Sequence, residues 1–229
     1  MDSTLKFLIK LGALKEKPRR GWQAHQIPDA ETTASHIFRT IFLAWVLGSK
    51  KRLNINKLIK MALVHDICEV FAKDETPYDP LLPASFDSVQ AQRKTENILQ
   101  QWPKFSLAQK KKKNRLKYQR EKKALRKLLS FAPSILRREM EELWEDFEKG
   151  LSKEGRFAKQ VDKAENFLQG MEYWAKYGRI QRDLWLRWAK EIFDDPVIVD
   201  FVKTIEKQVV KTKSKKQPKQ NHKKIKIES

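Results

Sequence analysis

The sequence is poor in cysteine, glycine and proline, and it has no long apolar run. The single cysteine, Cys68, excludes an internal disulfide and a cysteine-rich zinc site, and it favours a reducing, cytoplasmic location. Seven glycines and nine prolines among 229 residues exclude a collagen-like chain. The longest apolar run, residues 41–47, is far shorter than the roughly 20 residues that cross a bilayer, so we expect no membrane span. No cleavage-site pattern follows the N-terminal residues, and we expect no signal peptide.

Positive charge is abundant, and it is concentrated in two segments. Residues 110–127 contain eleven Lys or Arg and one Glu, and they supply +10 of the net charge of +20. Residues 211–229 contain eight Lys and one Glu and supply +7, which leaves +3 for the rest of the chain. Two hypotheses stay open: solvated, solubilising segments, or weak electrostatic contact with RNA, DNA or anionic lipid.

Apolar residues recur at helical spacing, and no segment shows the alternation that is typical of β-strands. The pattern predicts an all-α protein, a globular bundle of roughly eight to nine helices. We expect one domain over residues 1–208, with a basic helical insertion at about 104–130. Residues 209–229 have few apolar side chains, so we expect a disordered, lysine-rich tail there.

Two of the predicted helices are strongly apolar and carry a histidine each. Residues 33–47 are apolar nearly all round, which predicts a central buried helix with His36 in its first turns. Residues 56–73 predict a second, continuous helix that contains His65. A buried histidine needs a partner for its ring nitrogens, and for either residue alone a hydrogen-bonded structural role is the simpler interpretation.

A run of polar residues at His65 changes that balance. Asp66 follows directly, and Glu69 lies four residues after His65, so on a helix these groups share a face. Asp74 comes where the helix should end. Such a cluster in an apolar helix is costly unless something neutralises it, and imidazole and carboxylate groups are ligands of divalent cations.

Asp162, beside the apolar stripe of a later helix, completes the order His, His-Asp, Asp. With this order the chain resembles the HD-domain superfamily of metal-dependent phosphohydrolases, and within it the 5′-deoxynucleotidase (HD-domain-containing protein 2) family. The matching segments are residues 20–22, 31–39, 62–69, 142–148 and 159–165.

The resemblance implies an HD-domain fold, a site for one divalent cation (Mn, Co, Fe, Mg or Zn) and release of phosphate from deoxynucleoside 5′-monophosphates. The implied metal ligands are His36, His65, Asp66 and Asp162. Glu69 and Asp74 correspond to catalytic carboxylates that orient the attacking water and assist proton transfer. Arg20 and Trp22 fall near the substrate-contacting residues, and Lys159 is a further candidate for phosphate binding. The implied partners are the nucleotide substrate and a second copy in a homodimer.

Two alternative functions stay open. Another HD-type phosphohydrolase would act on a cyclic nucleotide, on (p)ppGpp or on an oligonucleotide end. A non-enzymatic nucleic-acid-binding protein would use the basic segments, but such a protein has no need of the buried polar residues around His65. The sequence contains no glycine-rich phosphate loop, so P-loop nucleotide hydrolysis has no support.

Overall fold

A computed structural model describes residues 2–216, with side chains through residue 208. Over that range the regular structure is helical, and the all-α prediction is confirmed. The helices are α1 (Ser3–Leu11), α2 (Arg20–Ala24), α3 (Thr33–Gly48), α4 (Ile55–Val64), α5 (Val89–Gln101), α6 (Leu107–Leu129), α7 (Ser134–Lys149), α8 (Lys153–Tyr177), α9 (Arg182–Ile192) and α10 (Pro196–Lys216). Two short 3₁₀ turns cover Gly12–Lys15 and Ile67–Val70.

Local signals in the sequence determine several helix ends. The Ser106 hydroxyl accepts a hydrogen bond from the Gln109 backbone N–H at 3.2 Å, and the Gln109 side chain accepts one from the Ser106 N–H at 2.9 Å. This capping box starts α6 and satisfies two amide groups that a helix N-terminus leaves free. At the start of α10, Asp195 accepts from the Val197 N–H at 3.0 Å, and Pro196 occupies the first helical position.

The prediction of one continuous helix over residues 56–73 is wrong. Helix α4 ends at Val64, Asp66 takes φ −110° and ψ 8°, and the 3₁₀ turn Ile67–Val70 follows. Lys17 donates hydrogen bonds from its Nζ to the carbonyl oxygens of Glu69 and Ala72, both at 2.5 Å. A distant lysine therefore satisfies carbonyl groups that lie outside the α-helical hydrogen-bond pattern, a contact that periodicity does not show.

Helix α3 is buried on one side and exposed on the other, which corrects the prediction of a central buried helix. Its inner side carries Ala44 and Leu47, which are 0% and 3% exposed and face α4 and α8. On its outer side Phe38, Phe42 and Trp45 are 65%, 47% and 53% exposed.

The core is centred on α8, where Val161, Ala164 and Phe167 are fully buried. Residues from α4, α6 and α7 surround it, among them Trp144. The predicted basic insertion is therefore part of the fold at its C-terminal half, because Leu125 of α6 is also fully buried.

Helix α10 continues to Lys216 and so extends into the segment predicted as a tail, while residues 217–229 lie outside the described residues. Within the described chain, no helix combines the length and the apolar composition that crossing a membrane requires.

Candidate metal centre and active site

The four side chains predicted as metal ligands converge from three parts of the chain. His36 lies in the first turn of α3, and Asp162 lies in α8. His65 and Asp66 follow the last residue of α4, at the break before the 3₁₀ turn. Neighbouring residues of a continuous helix point about 100° apart, so the break lets His65 and Asp66 direct their side chains to one place.

These four side chains are hereafter called the ligand cluster. The ligand atoms of His36, His65 and Asp66 lie within 4.8 Å of one another, and Asp162 Oδ1 approaches the two imidazoles. His36 Nε2 lies 3.2 Å from His65 Nε2 and 3.0 Å from Asp162 Oδ1. Asp66 Oδ2 lies 3.3 Å from His65 Nε2 and 3.7 Å from His36 Nε2. His65 Nε2 and Asp162 Oδ1 are 3.8 Å apart. Both imidazoles are buried, whereas the side chains of Asp66 and Asp162 are 19% and 23% exposed.

The hydrogen bonds of the two Nδ1 atoms indicate which ring nitrogens are free to bind a cation. His65 Nδ1 donates to the Ala62 carbonyl at 2.7 Å, and His36 Nδ1 donates to Glu165 Oε2 at 2.5 Å. When both imidazoles are neutral, as metal binding requires, these bonds leave each Nε2 with a lone pair that faces carboxylate oxygens. Four acceptors without a donor among them repel one another unless a cation lies between them. The donor set, two imidazoles and two carboxylates, fits a divalent metal ion.

Glu165 supports the cluster from behind and was missed in the sequence. It is fully buried, and besides His36 it binds Arg39, whose Nε donates at 2.8 Å. Burial raises the pKa of Glu165, but the positive charges of His36 and Arg39 outweigh burial and lower it. A carboxylate on the far nitrogen of a ligating histidine fixes the orientation of the ring and its tautomer. The available signal was spacing, since Glu165 lies three residues after Asp162 on the same face of α8.

The electrostatics of the ligand cluster favour positive charge. Burial and the Arg19 guanidinium oppose protonation of His36, yet Glu165 and Asp162 raise its pKa to about 10. Burial also opposes ionisation of Asp66, but His65, Arg19 and His36 together hold its pKa well below the ordinary value. The site therefore stabilises a bound positive charge strongly, whether a proton or a metal ion supplies it.

Glu69 lies beside the cluster and is only 4% exposed. Its Oε2 accepts a hydrogen bond from the Thr33 hydroxyl at 2.8 Å, and its Oε1 is 3.6 Å from an Arg19 nitrogen. Burial, followed by the negative charges of Asp66 and Asp74, raises the pKa of Glu69 to about 8. A carboxyl group with such a pKa can both accept and release a proton near neutral pH, as general acid–base catalysis requires.

The arginine at the site is Arg19, whereas the sequence pattern favoured its neighbour Arg20. Arg19 donates to Asp66 Oδ2 at 2.7 Å, and its side chain is 13% exposed. The Arg20 guanidinium instead donates to Asp79 Oδ2 at 2.7 Å and to the Pro83 carbonyl at 3.1 Å. Arg20 therefore anchors the loop before α5, and it is Arg19 whose charge reaches the ligand cluster.

Asp74 and Trp22 lie in the layer around Arg19. The Asp74 carboxylate accepts the Arg20 backbone N–H at 2.8 Å and is 3.9 Å from Arg19 Nε, so it holds the start of α2 against the site. Trp22 is 3% exposed, donates from Nε1 to Glu31 at 2.8 Å and stacks on Trp185 at 5.4 Å. In this conformation Trp22 is buried against another aromatic ring beside the site.

Lys159 lies one turn before Asp162 on α8. Its Nζ donates to the Glu148 carbonyl at 2.7 Å and lies 5.2 Å from the centre of the Phe147 ring. Phe147 itself packs against His65, with the ring centres 5.0 Å apart. The Phe147 ring thus lies between Lys159 and the ligand cluster, and the Lys159 side chain is one-third exposed.

Comparison with known proteins identifies the family of the chain. The family profile described as HD domain matches residues 11–193. The human protein named 5′-deoxynucleotidase HDDC2 is 33% identical over 207 residues, which cover 89% of this chain and 85% of that protein. The Xenopus laevis protein of the same name is 30% identical over 206 residues, which cover 89% and 86% of the two chains.

A solved structure shares the fold. The structure titled as a conserved hypothetical protein from Pyrococcus furiosus superposes with a TM-score of 0.61 and covers 89% of this chain and 99% of its own. Its sequence identity is 20%, so this likeness concerns the fold alone. The family profile and the relatives together show that this chain belongs to the HD-domain family.

Proposed function

We propose that this protein is a metal-dependent 5′-deoxynucleotidase, a phosphomonoesterase that releases phosphate from deoxynucleoside 5′-monophosphates. The observation that carries the proposal is the position of Glu69 and Arg19 beside the ligand cluster, because a proton-transferring carboxyl group and a phosphate-binding cation are what this hydrolysis requires. The relatives named 5′-deoxynucleotidase, from human to Schizosaccharomyces pombe, support the substrate class.

One divalent cation would be held by the ligand cluster. The set of His36, His65, Asp66 and Asp162 suits Mn, Co, Fe or Zn through its imidazoles and Mg or Mn through its carboxylates. A cation bound there lowers the pKa of a coordinated water and polarises a phosphoryl oxygen.

The protein's own groups then perform the proton transfer and the charge neutralisation. Glu69 accepts a proton from the attacking water as its oxygen bonds to phosphorus, and it returns a proton to the sugar 5′-oxygen as the phosphorus–oxygen bond breaks. Arg19 offers a fork of N–H donors that matches the oxygens of a phosphate group. Asp74 and Thr33 position these two groups, since Asp74 holds the residues at the start of α2 and Thr33 donates to Glu69.

The experiment is a phosphate-release assay of the full chain with deoxynucleoside and ribonucleoside 5′-monophosphates, each with Mn, Co, Fe, Mg or Zn. We expect turnover of the deoxynucleotides, loss of turnover in chelator, and recovery when metal is returned. Cyclic nucleotides, (p)ppGpp and 5′-phosphorylated oligonucleotides belong in the same panel. Preferential turnover of one of these would assign the protein to another HD-type phosphohydrolase, and no turnover of any would contradict an enzymatic role.

The exposed side of α3 supports the homodimer. Phe38 and Phe42 contact each other at 5.0 Å between ring centres, and with Trp45 they form an apolar patch that water would otherwise cover. We infer that a second copy covers this patch. Light scattering should give twice the monomer mass for the native chain and the monomer mass for Phe38→Glu, and a monomeric native chain would contradict the inference.

We propose that the protein acts in the reducing cytoplasm, since its single cysteine, Cys68, cannot form an internal disulfide.

A further inference from the structure

The outer side of α6 carries cations that the rest of the described protein does not neutralise. Three other cations of the helix are paired, because Arg120, Lys122 and Arg126 form ion pairs with Glu75, Glu145 and Glu141 respectively. On its outer side, within residues 2–208, no carboxylate lies within ion-pair distance of Lys112, Arg115, Lys123 or Lys127. These four residues are exposed, and we call them the α6 basic face.

The spacing of these residues places them within about 120° of one another around the helix axis, on one side of α6. Lys112 and Lys123 are eleven residues apart, close to three full helical turns. Arg115 lies about one turn after Lys112, and Lys127 lies about one turn after Lys123. The face is about 23 Å long, at 1.5 Å per residue. A face of this length can contact several consecutive phosphates of an extended single strand, and it is longer than a single nucleotide needs.

An aromatic ring and a cavity lie at the C-terminal end of the α6 basic face. The Phe71 ring is 36% exposed, with Lys127 Nζ at 4.3 Å and Lys10 Nζ at 5.5 Å from its centre. A cavity of about 330 Å³ lies between α6 and residues 71–75, and Phe71, Lys123 and Lys127 are among the residues that line it. Glu75 and Glu121 also line it, and each is paired with a cation of α6. This volume suits one base with its sugar, and an exposed ring is a stacking surface for an unpaired base.

We propose that the α6 basic face and this cavity bind single-stranded nucleic acid, with phosphates along Lys112, Arg115, Lys123 and Lys127 and a base stacked on Phe71. The distribution of apolar residues argues against a lipid surface. The exposed leucines of α6, Leu107 and Leu116, are nine residues apart and so lie on opposite sides of the helix. A helix that lies in a membrane interface needs one continuous apolar face instead.

The first test is binding of a fluorescent 20-nucleotide oligo-dT to the full chain, measured by anisotropy across a salt series. The variant Lys112→Glu/Arg115→Glu/Lys123→Glu should lose affinity at least tenfold at 100 mM salt. The slope of log K against log salt should become shallower by about 2, because three phosphate contacts with a single strand are removed. All variants keep the C-terminal segment, so differences between them report the α6 basic face.

The matched control is Lys50→Glu/Lys190→Glu/Lys207→Glu, which changes the net charge equally at exposed lysines just after α3 and on α9 and α10. We expect it to change the affinity less than threefold. Equal losses in the two triple variants would overturn the proposal, because net charge alone would then explain binding. Two measurements verify that both variants are folded. Each variant should melt in a cooperative transition like the native protein, and its rate of phosphate release from a deoxynucleotide should stay within twofold of the native rate.

A second variant separates stacking from charge. Phe71→Leu should weaken oligo-dT binding several-fold and leave the salt slope unchanged, because it removes a stacking surface but no cation. The same proteins are titrated with vesicles of phosphatidylcholine and phosphatidylserine. Loss of vesicle binding in the α6 variant together with unchanged oligo-dT binding would overturn the proposal in favour of a membrane surface.

Discussion

Charged side chains around His36 are buried and paired, whereas those of the α6 basic face are exposed and, in the described part of the chain, unpaired. Glu165 is fully enclosed and has both His36 and Arg39 within hydrogen-bond distance. In the α6 basic face the corresponding partner would be a phosphate of another molecule. Buried pairs are screened little by salt, while exposed charges are screened within about 8–10 Å at physiological ionic strength. The first region therefore acts through the placement of single atoms, and the second through the number of charges.

The sharpest test of placement is Asp66→Ala, for which we expect the largest effect. It removes a ligand atom that lies 3.3 Å from His65 Nε2, and alanine offers no oxygen in its place. Metal content, measured by elemental analysis, and phosphate release should be lost together. Asp183→Ala, at a side chain that is 86% exposed, is the matched control and should be neutral. Full turnover by the Asp66→Ala protein would contradict the assignment of the ligand cluster.

Glu69→Gln separates holding the metal from using it. We expect metal content to stay and turnover to fall about 10²–10⁴-fold, the range typical of a general acid–base group. Glutamine keeps the size of the side chain and can still accept from Thr33, but it cannot carry the proton. A parallel fall of metal content and rate would show that Glu69 is a ligand and not a proton carrier.

Glu165→Gln tests whether a residue that pairs with a ligand, but does not itself contact metal or substrate, affects metal affinity. The variant weakens the hold on His36 Nδ1, and removal of such a supporting carboxylate typically lowers metal affinity about 10–100-fold. Competition with a chelating dye measures the affinity. Restoration of turnover at high metal concentration is the expected signature, and an unchanged affinity would remove Glu165 from the site.

The pair Arg19→Lys and Arg20→Lys compares two neighbouring arginines in different surroundings. We expect Arg19→Lys to raise the KM about tenfold, because an ammonium group loses the fork that binds two oxygens. Arg20→Lys should leave the KM within about twofold and lower the melting temperature, since Arg20 binds Asp79 and the Pro83 carbonyl. Reversed results would return the substrate contact to Arg20.

Glu121 is a buried carboxylate on the inner side of α6, and it gives the smallest expected effect. Burial, opposed by Lys117 at 3.2 Å, raises its pKa to about 7 from an ordinary value of 4.5. The folded state therefore binds the proton of the Glu121 carboxyl more tightly than the unfolded state does. This proton binding adds to the free energy of unfolding below about pH 4.5, and the contribution is lost as the pH rises through 7. Glu121→Gln should melt a few degrees above the native protein at pH 8 and close to it at pH 5. A difference that does not depend on pH would contradict the raised pKa.

The sequence alone determined the fold class and the order of the chemistry-bearing residues. Alternation is absent and helical spacing recurs, so an all-α chain was predictable from periodicity. Caps are local, and the box at Ser106 and Gln109 and the proline at position 196 mark helix starts without any tertiary contact. Resemblance to the HD-domain family supplied the ligand set, since its residues keep their order along the chain.

Only the tertiary structure decided which of two neighbouring arginines lies at the ligand cluster, and which faces of the helices are covered. Arg19 and Arg20 are chemically identical in the sequence, and packing of α2 sends one guanidinium to Asp66 and the other to Asp79. Likewise, Lys17 reaches across more than fifty residues to the carbonyls after the break at Asp66, and the outer side of α3 stays exposed because α4 and α8 lie on its other side. Periodicity describes one element at a time, whereas contacts between distant parts of the chain choose where each side chain points.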